Sequence, residues 1–194
     1  MTVRLDEQLG AVRGHFLSMQ DHLVAQLRRL GDRRDAAQLV QDVQALDRQI
    51  DEAERAAVQG VLRLLALQAP VARDLRLTVL ILQSTPDLER AGDYARHLSR
   101  TPHLTGPEGA LALGDLTRMA ATLRAASLPG DAALAAQVRE LDARVDARFE
   151  AATAELIARP GGPDALSAAA WWRSAERLGD HLKNVAVRLE TLYA

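Results

Sequence analysis

Not one cysteine occurs among the 194 residues, so the chain can form no disulfide, no thiolate metal site and no thiol nucleophile. Aromatic side chains are nearly as scarce, at 3%, and strand formers are too sparse for a sheet. Long apolar runs are missing as well: clusters such as LTVLIL at 77–82 fall far short of a bilayer's thickness, so no membrane span is expected. The opening MTVRLDEQLG has neither the basic nor the apolar region of a signal peptide. A cytoplasmic protein is expected, with peripheral docking at the inner face of a membrane left open. An excess of positive charge is also absent. With 24 basic against 26 acidic residues the net charge is -2, so nothing would hold a nucleic-acid backbone by counterion release.

What is abundant is Leu, Ala, Arg, Glu, Asp and Gln, side chains that lose little on entering a helix or that decorate its wet face. Breakers at GDRRD 31–35, APV 69–71, TPHLTGPEG 101–109, LPGD 128–131 and RPGGPD 159–164 divide the chain into six helical stretches. In the first, Leu5, Leu9, Val12, Phe16, Met19, Leu23 and Leu27 recur at steps of four and three, the stripe of a helix buried along one side. Leu39, Val43, Leu46, Ile50, Ala53 and Ala57 form a second stripe, and Leu134, Val138, Leu141 and Val145 another. The fold class expected is therefore all-α, a helical bundle.

The bundle is internally repeated. ERAGDY at 89–94 and ERLGDH at 176–181 share the pattern E-R-x-G-D followed by a ring, and each lies downstream of an aspartate pair, LDRQID at 46–51 and LDARVD at 141–146. The distance from pair to motif is shorter in the second half. If that hairpin is simply trimmed, each of its helices loses about four residues, roughly 6 Å. Two pseudo-symmetric three-helix bundles are expected, over residues 1–101 and 107–194.

Within this repeat, Asp47 with Asp51, Glu89 with Asp93, Asp142 with Asp146, and Glu176 with Asp180 are acidic pairs spaced i,i+4, each on one helical face. Pair number alone carries nothing, because 26 acidic residues in 194 give about 3 or 4 such pairs by chance. Placement carries more: Asp47 and Asp51 each follow a stripe residue, Leu46 and Ile50, as Asp142 and Asp146 follow Leu141 and Val145. Two pairs on facing helices would make a carboxylate nest that repels itself unless a hard or borderline cation neutralises it. Gly92 and Gly179 sit mid-helix at matching places, each at a cost of about 1 kcal/mol against alanine, which points to close backbone approach or room for an ion. No E-x-x-H motif accompanies the pairs, against a carboxylate-bridged di-iron oxidase.

Other features carry less. His15, His22, His97, His103 and His181 lack ligand spacing and are expected at the surface or rim, with only His181, beside Asp180, near the acidic residues. Trp171 and Trp172 are expected to open the last helix as partly buried anchors. Pro86 removes a backbone donor one turn before Glu89, so a kink or a restart is expected there, with Thr85 as the cap of the restarted helix. No nucleophile elbow, P-loop or dinucleotide fingerprint occurs.

APVARDLRLTVLILQSTPDLERAGDYARHLSR at 69–100 and SAERLGDHLKNVAVRL at 174–189 resemble the PhoU family of bacterial phosphate-uptake regulators. The resemblance rests on P-x-A-x-D-L-R (Pro70, Ala72, Asp74, Leu75, Arg76), on the following E-R-x-G-D, and on a second E-R-x-G-D-H-x-x-N ending at Asn184. It implies two three-helix bundles, no catalytic activity, and metal sites on (E/D)-x-x-x-D motifs. Divalent or trivalent ions would be held there: iron, manganese, magnesium or zinc. Carried over by position, Glu89 and Asp93 are ligand-type residues of the first unit and Glu176 and Asp180 of the second, with Asp47, Asp51, Asp142 and Asp146 as their helix partners. It implies a role as well: negative regulation of phosphate-starvation signalling and phosphate uptake, by linking the ATPase subunit of the phosphate transporter to a sensor histidine kinase. A homodimer is compatible with it. The D-L-R element has no counterpart in PGGPDALSAAA, and the chain is shorter than typical members. The alternative is a helical scaffold of the same shape that carries no metal.

Overall fold

The computed structural model describes residues 2–32, 35–101, 106–127, 130–158 and 164–193. Six helices account for nearly all of them: α1 Thr2–Gly31, α2 Ala36–Gln68, α3 Ala72–Leu98, α4 Gly106–Ser127, α5 Ala132–Ala158 and α6 Ala165–Tyr193. The all-α reading is borne out. The ends of the helices follow from local chemistry. Asp35 caps α2 by accepting from the Ala37 and Gln38 amides at 3.0 and 3.1 Å. Ala69 closes α2 in the left-handed conformation, φ 41°. Asp131 accepts from the Leu134 amide at 3.0 Å and so starts α5. The breaker at 101–109 is shorter than expected, because Gly106–Gly109 already belongs to α4; residues 33, 34, 102–105, 128, 129 and 159–163 of the breaker segments, with His103, lie outside the described residues.

α1, α2 and α3 pack on one another, as do α4, α5 and α6, and the contacts α1 to α4 and α3 to α6 join the two sets. One apolar core runs through both. Val12, Phe16, Met19, Leu23 and Leu27 of the α1 stripe meet Leu88, Ala91 and Ala95 of α3, Leu116, Met119 and Leu123 of α4, and Leu178, Leu182 and Val185 of α6. Each fully buried Leu or Met contributes about 1.5–3 kcal/mol.

Two expectations are corrected here. α3 does not restart at Pro86 but runs unbroken through it. The carbonyl of Leu82, deprived of its usual partner by the missing Pro86 N–H, accepts from the Thr85 hydroxyl at 3.2 Å, so Thr85 repairs the ladder and does not cap it. Trp171 and Trp172 do not open α6, which begins at Ala165; both are buried and pack edge to face, centroids 5.1 Å apart. The second hairpin is the shorter one, as expected: α2 continues from Asp51 to Gln68, and the described part of α5 from Asp146 to Ala158.

Candidate functional site

The α2 stripe turns out to run through Val43, Asp47 and Ile50, with Leu46 only half-buried, and the α5 stripe through Val138, Asp142 and Val145. An aspartate thus occupies a core position at the same place in each half. Asp47 is 8% exposed and Asp142 3%. A buried carboxylate must be paired or hydrogen-bonded to be tolerated. In each half a cation does this, and it comes from the helix that carries the E-R-x-G-D motif.

In the first half Arg96 Nε lies 2.7 Å from Asp47 Oδ2, and its Nη2 reaches Asp93 one turn back on α3. Gln26 of α1, itself fully buried, donates from Nε2 to the Val43 carbonyl at 3.1 Å and approaches Asp47 Oδ1 at 3.5 Å. Burial pushes the Asp47 carboxyl up, Arg96 opposes this, and Asp93 and Asp51 add to it. Glu89 is also pushed up, by burial first and then by Asp93, Glu54, Asp51 and Asp47. Glu54, which the sequence reading passed over, is pushed up by burial and by Asp51.

In the second half Lys183 Nζ sits 2.6 Å from Asp142 Oδ2 and 2.6 Å from Asp180 Oδ1. Burial pulls Lys183 down, but these two carboxylates outweigh it and hold the ammonium above its ordinary range. Burial raises Asp142, against Lys183; it raises Asp146 likewise, and Glu176 is raised by burial and then by Asp180. Arg177 lies 3.6 Å from both Asp180 and Glu176, and Arg173 3.5 Å from Glu176.

The donor set suits a hard ion in its chemistry: carboxylates in excess over cations, with Asp142 Oδ1 and Gln26 Oε1 as buried oxygens that receive no hydrogen bond. In geometry the central seat belongs to Arg96 or Lys183. Among the described residues no three carboxylates or imidazoles are gathered within reach of one ion.

The two glycines are what lets each aspartate lie against its partner helix. A Cβ on Gly92 would stand 2.9 Å from Ile50 Cδ1 and 3.3 Å from Asp47 Oδ1, and one on Gly179 3.0 Å from Asp142 Oδ1. Gly92→Ala and Gly179→Ala are each expected to lower metal-free stability by about 1 kcal/mol, overpacking outweighing the gain in helix propensity. Thermal melts decide this: a higher melting temperature would show that the close approach imposes no cost.

A second polar cluster ties α3 to α6. Asp87, next to Pro86, meets His181 Nδ1 at 2.8 Å and accepts from Asn184 Nδ2 at 3.2 Å and Arg188 Nη1 at 2.5 Å. Tyr94 stacks on the His181 ring, centroids 5.7 Å apart. His181 therefore turns away from the acidic nest beside it and serves the seam between the halves. Of the other histidines, His22 pairs with Ser18 on its own helix at 3.1 Å, and His97 is exposed against the edge of Tyr94.

A family model described as the PhoU domain matches residues 17–101 and again 113–189, one match on each side of the connection between α3 and α4. The chain belongs to the PhoU family. It is 36% identical to a phosphate-specific transport system accessory protein PhoU homolog of Deinococcus radiodurans, over 80% of this chain and 79% of that one. A PhoU homolog of Pseudomonas aeruginosa is 32% identical, over 94% of this chain and 82% of its own length. Among solved structures, PhoU from Pseudomonas aeruginosa superposes with a TM-score of 0.85 at 29% identity, covering 96% of this chain and 97% of that one. PhoU from Streptococcus pneumoniae, at 20% identity and a TM-score of 0.82, covers 97% of this chain and 96% of its own and shares the fold.

Within this PhoU chain the eight acidic positions read from the sequence fall into two groups, Asp47, Asp51, Glu89 and Asp93 between α2 and α3, and Asp142, Asp146, Glu176 and Asp180 between α5 and α6. Arg96 and Lys183 went unread, although a signal was there: each stands three residues after the motif's aspartate and seven after its glutamate. Asp87 went unread too, its partners spread over one face of another helix.

Proposed function

We propose that this chain is a regulatory accessory of phosphate uptake, acting by contact and without catalysis, and that it restrains phosphate-starvation signalling when phosphate is plentiful. The ATPase subunit of a phosphate transporter and a sensor histidine kinase are its partners in this reading, met at the cytoplasmic face of the membrane. No described helix is long and apolar enough to cross one. The reading is supported above all by the PhoU-domain match in both halves together with relatives named as phosphate-specific transport accessory proteins. Each half is taken as a three-helix unit, residues 1–101 and 107–194.

The carboxylate nests are taken as divalent or trivalent cation sites: Asp47, Asp51, Glu89 and Asp93 would hold the ion in one, Asp142, Asp146, Glu176 and Asp180 in the other. The ion would neutralise carboxylates that burial and mutual repulsion hold above their ordinary range. The residues' own part is to present oxygen ligands from two helices and so clamp α2 to α3 and α5 to α6. A metal-free scaffold is the competing reading, favoured by the cation already seated in each nest.

Deleting the gene is expected to leave phosphate-scavenging genes switched on in phosphate-rich medium, and a copy in trans should switch them off. A phosphate-starvation reporter read in both media tests this, and unchanged output in the deletion strain would refute the regulatory role. Elemental analysis after purification without chelator separates the metal-bound from the metal-free reading.

A further inference from the structure

Arg96 and Lys183 occupy equivalent positions in the repeat, and each bridges two helices in the same way. Arg96 spans Asp93 of its own helix and buried Asp47 of α2; Lys183 spans Asp180 of its own helix and buried Asp142 of α5. A cation bound between two carboxylates on facing helices does electrostatically what a bridging metal ion would do. It is also tied to the chain, so it returns to its seat whenever the seat is empty. The same device has been built from two different side chains, a planar guanidinium in one half and a point-charge ammonium in the other.

The nests differ in what remains. Among the described residues Arg96 is the one cation within ion-pair reach of Asp47, Asp51, Glu89 or Asp93. In the second nest Lys183 is joined by Arg173 on Glu176 and by Arg177 on Glu176 and Asp180. The first nest thus keeps the larger uncompensated negative charge. The second keeps a fully buried acceptor, Asp142 Oδ1, that receives no hydrogen bond and lies 3.0 Å from the place a Gly179 Cβ would take.

We propose that Arg96 and Lys183 are tethered occupants of the two carboxylate nests, that an entering metal ion must displace them from Asp47 and Asp142, and that they set metal affinity and make it unequal between the halves. This rests on the reading of the nests as cation sites. The first nest binds more tightly, the second more weakly. Without metal the internal cations hold the helices together, so the fold survives chelation.

The test uses the full chain, stripped of metal, as wild type, Arg96→Gln and Lys183→Gln, titrated with Mn²⁺ by calorimetry and melted with and without Mn²⁺. Arg96→Lys and Lys183→Arg, which keep the charge, serve as folded controls. Removing a unit charge at ion-pair distance is expected to raise Mn²⁺ affinity at the affected nest by about tenfold to a hundredfold. The other nest stays as in wild type. Each Gln variant should melt below wild type when metal-free and gain more than wild type does on adding Mn²⁺, the larger gain following from its tighter binding; loss of a purely structural salt bridge would leave the gain equal to that of wild type. If wild type and both Gln variants bind Mn²⁺ equally tightly, the side chains do not share the ion's seat and the proposal fails while the metal reading stands. If none of them binds Mn²⁺, the metal reading fails and takes the competition with it.

Discussion

Replacing Asp87 with alanine is expected to destabilise the fold by about 2–3 kcal/mol at pH 7, a large effect for one residue outside the apolar core. The carboxylate is 12% exposed and receives His181, Asn184 and Arg188 from one face of α6, so removing it leaves three donors facing each other across the seam. Burial alone would raise the Asp87 carboxyl, but the hydrogen bonds from His181, Arg188 and Asn184 outweigh it and hold the group at about 2. The sign follows from that depression. An unfolded aspartate titrates near 3.9, so the stabilisation is fully present above about pH 4 and is lost as the pH falls towards 2. Urea melts at pH 7 and pH 3 test both statements. The gap between wild type and Asp87→Ala should be wide at pH 7 and narrower at pH 3. A constant gap would place the loss in packing and not in the charge.

The seam gives the two halves a mechanical link. Asp87 precedes Glu89 by two residues, and His181 and Asn184 follow Asp180 by one and four, so the helices that carry the two nests are pinned to each other at the level of the nests. Arg188, further along α6, adds a third contact to the same carboxylate.

How far the sequence discloses this arrangement depends on what kind of spacing carries it. The six helices were legible because stripes such as Val12, Phe16, Met19 and Leu23 repeat at the helical period and the breakers sit between them. The pairing of carboxylates was legible because i,i+4 spacing is itself a statement about a helix face. Which of two adjacent residues faces the core was not. Leu46 and Asp47 stand about 100° apart on the helix, and only the packing of α2 against α1 and α3 turns the aspartate inward. Arg96 and Lys183 were hidden by their spacing. A cation three residues after an aspartate is an ordinary surface pair along one helix, and the partner that matters, Asp47 or Asp142, lies on another helix. Thr85 shows the same limit: its hydroxyl was read as a cap because the carbonyl it satisfies, Leu82, is orphaned only if the helix continues through Pro86.

Changing Glu89 and Asp93 together to Gln and Asn is expected to abolish metal at the first nest and to leave the second occupied, which the matching pair Glu176→Gln and Asp180→Asn would reverse. Both changes keep size and hydrogen-bonding capacity and remove two charges, so lost metal cannot be put down to lost packing. At saturating metal the content should fall by about half in either double variant. At limiting metal the first double variant should lose nearly all of it, because the nest with fewer internal cations fills first. Stability separates the two residues. The charges that act most on Glu89 are like charges, Asp93 at i,i+4 costing about 0.2–0.5 kcal/mol, so neutralising it should leave the metal-free protein unharmed or slightly more stable. Asp93 holds Arg96, and its loss offsets that gain. The metal-free double variant should therefore melt close to wild type. With metal in hundredfold excess over Kd, wild type should gain about 2.7 kcal/mol per site on binding, and the double variant only the share of the second nest. Elemental analysis and melts of wild type and both double variants settle it: equal metal content in all three would remove these carboxylates from the list of ligands.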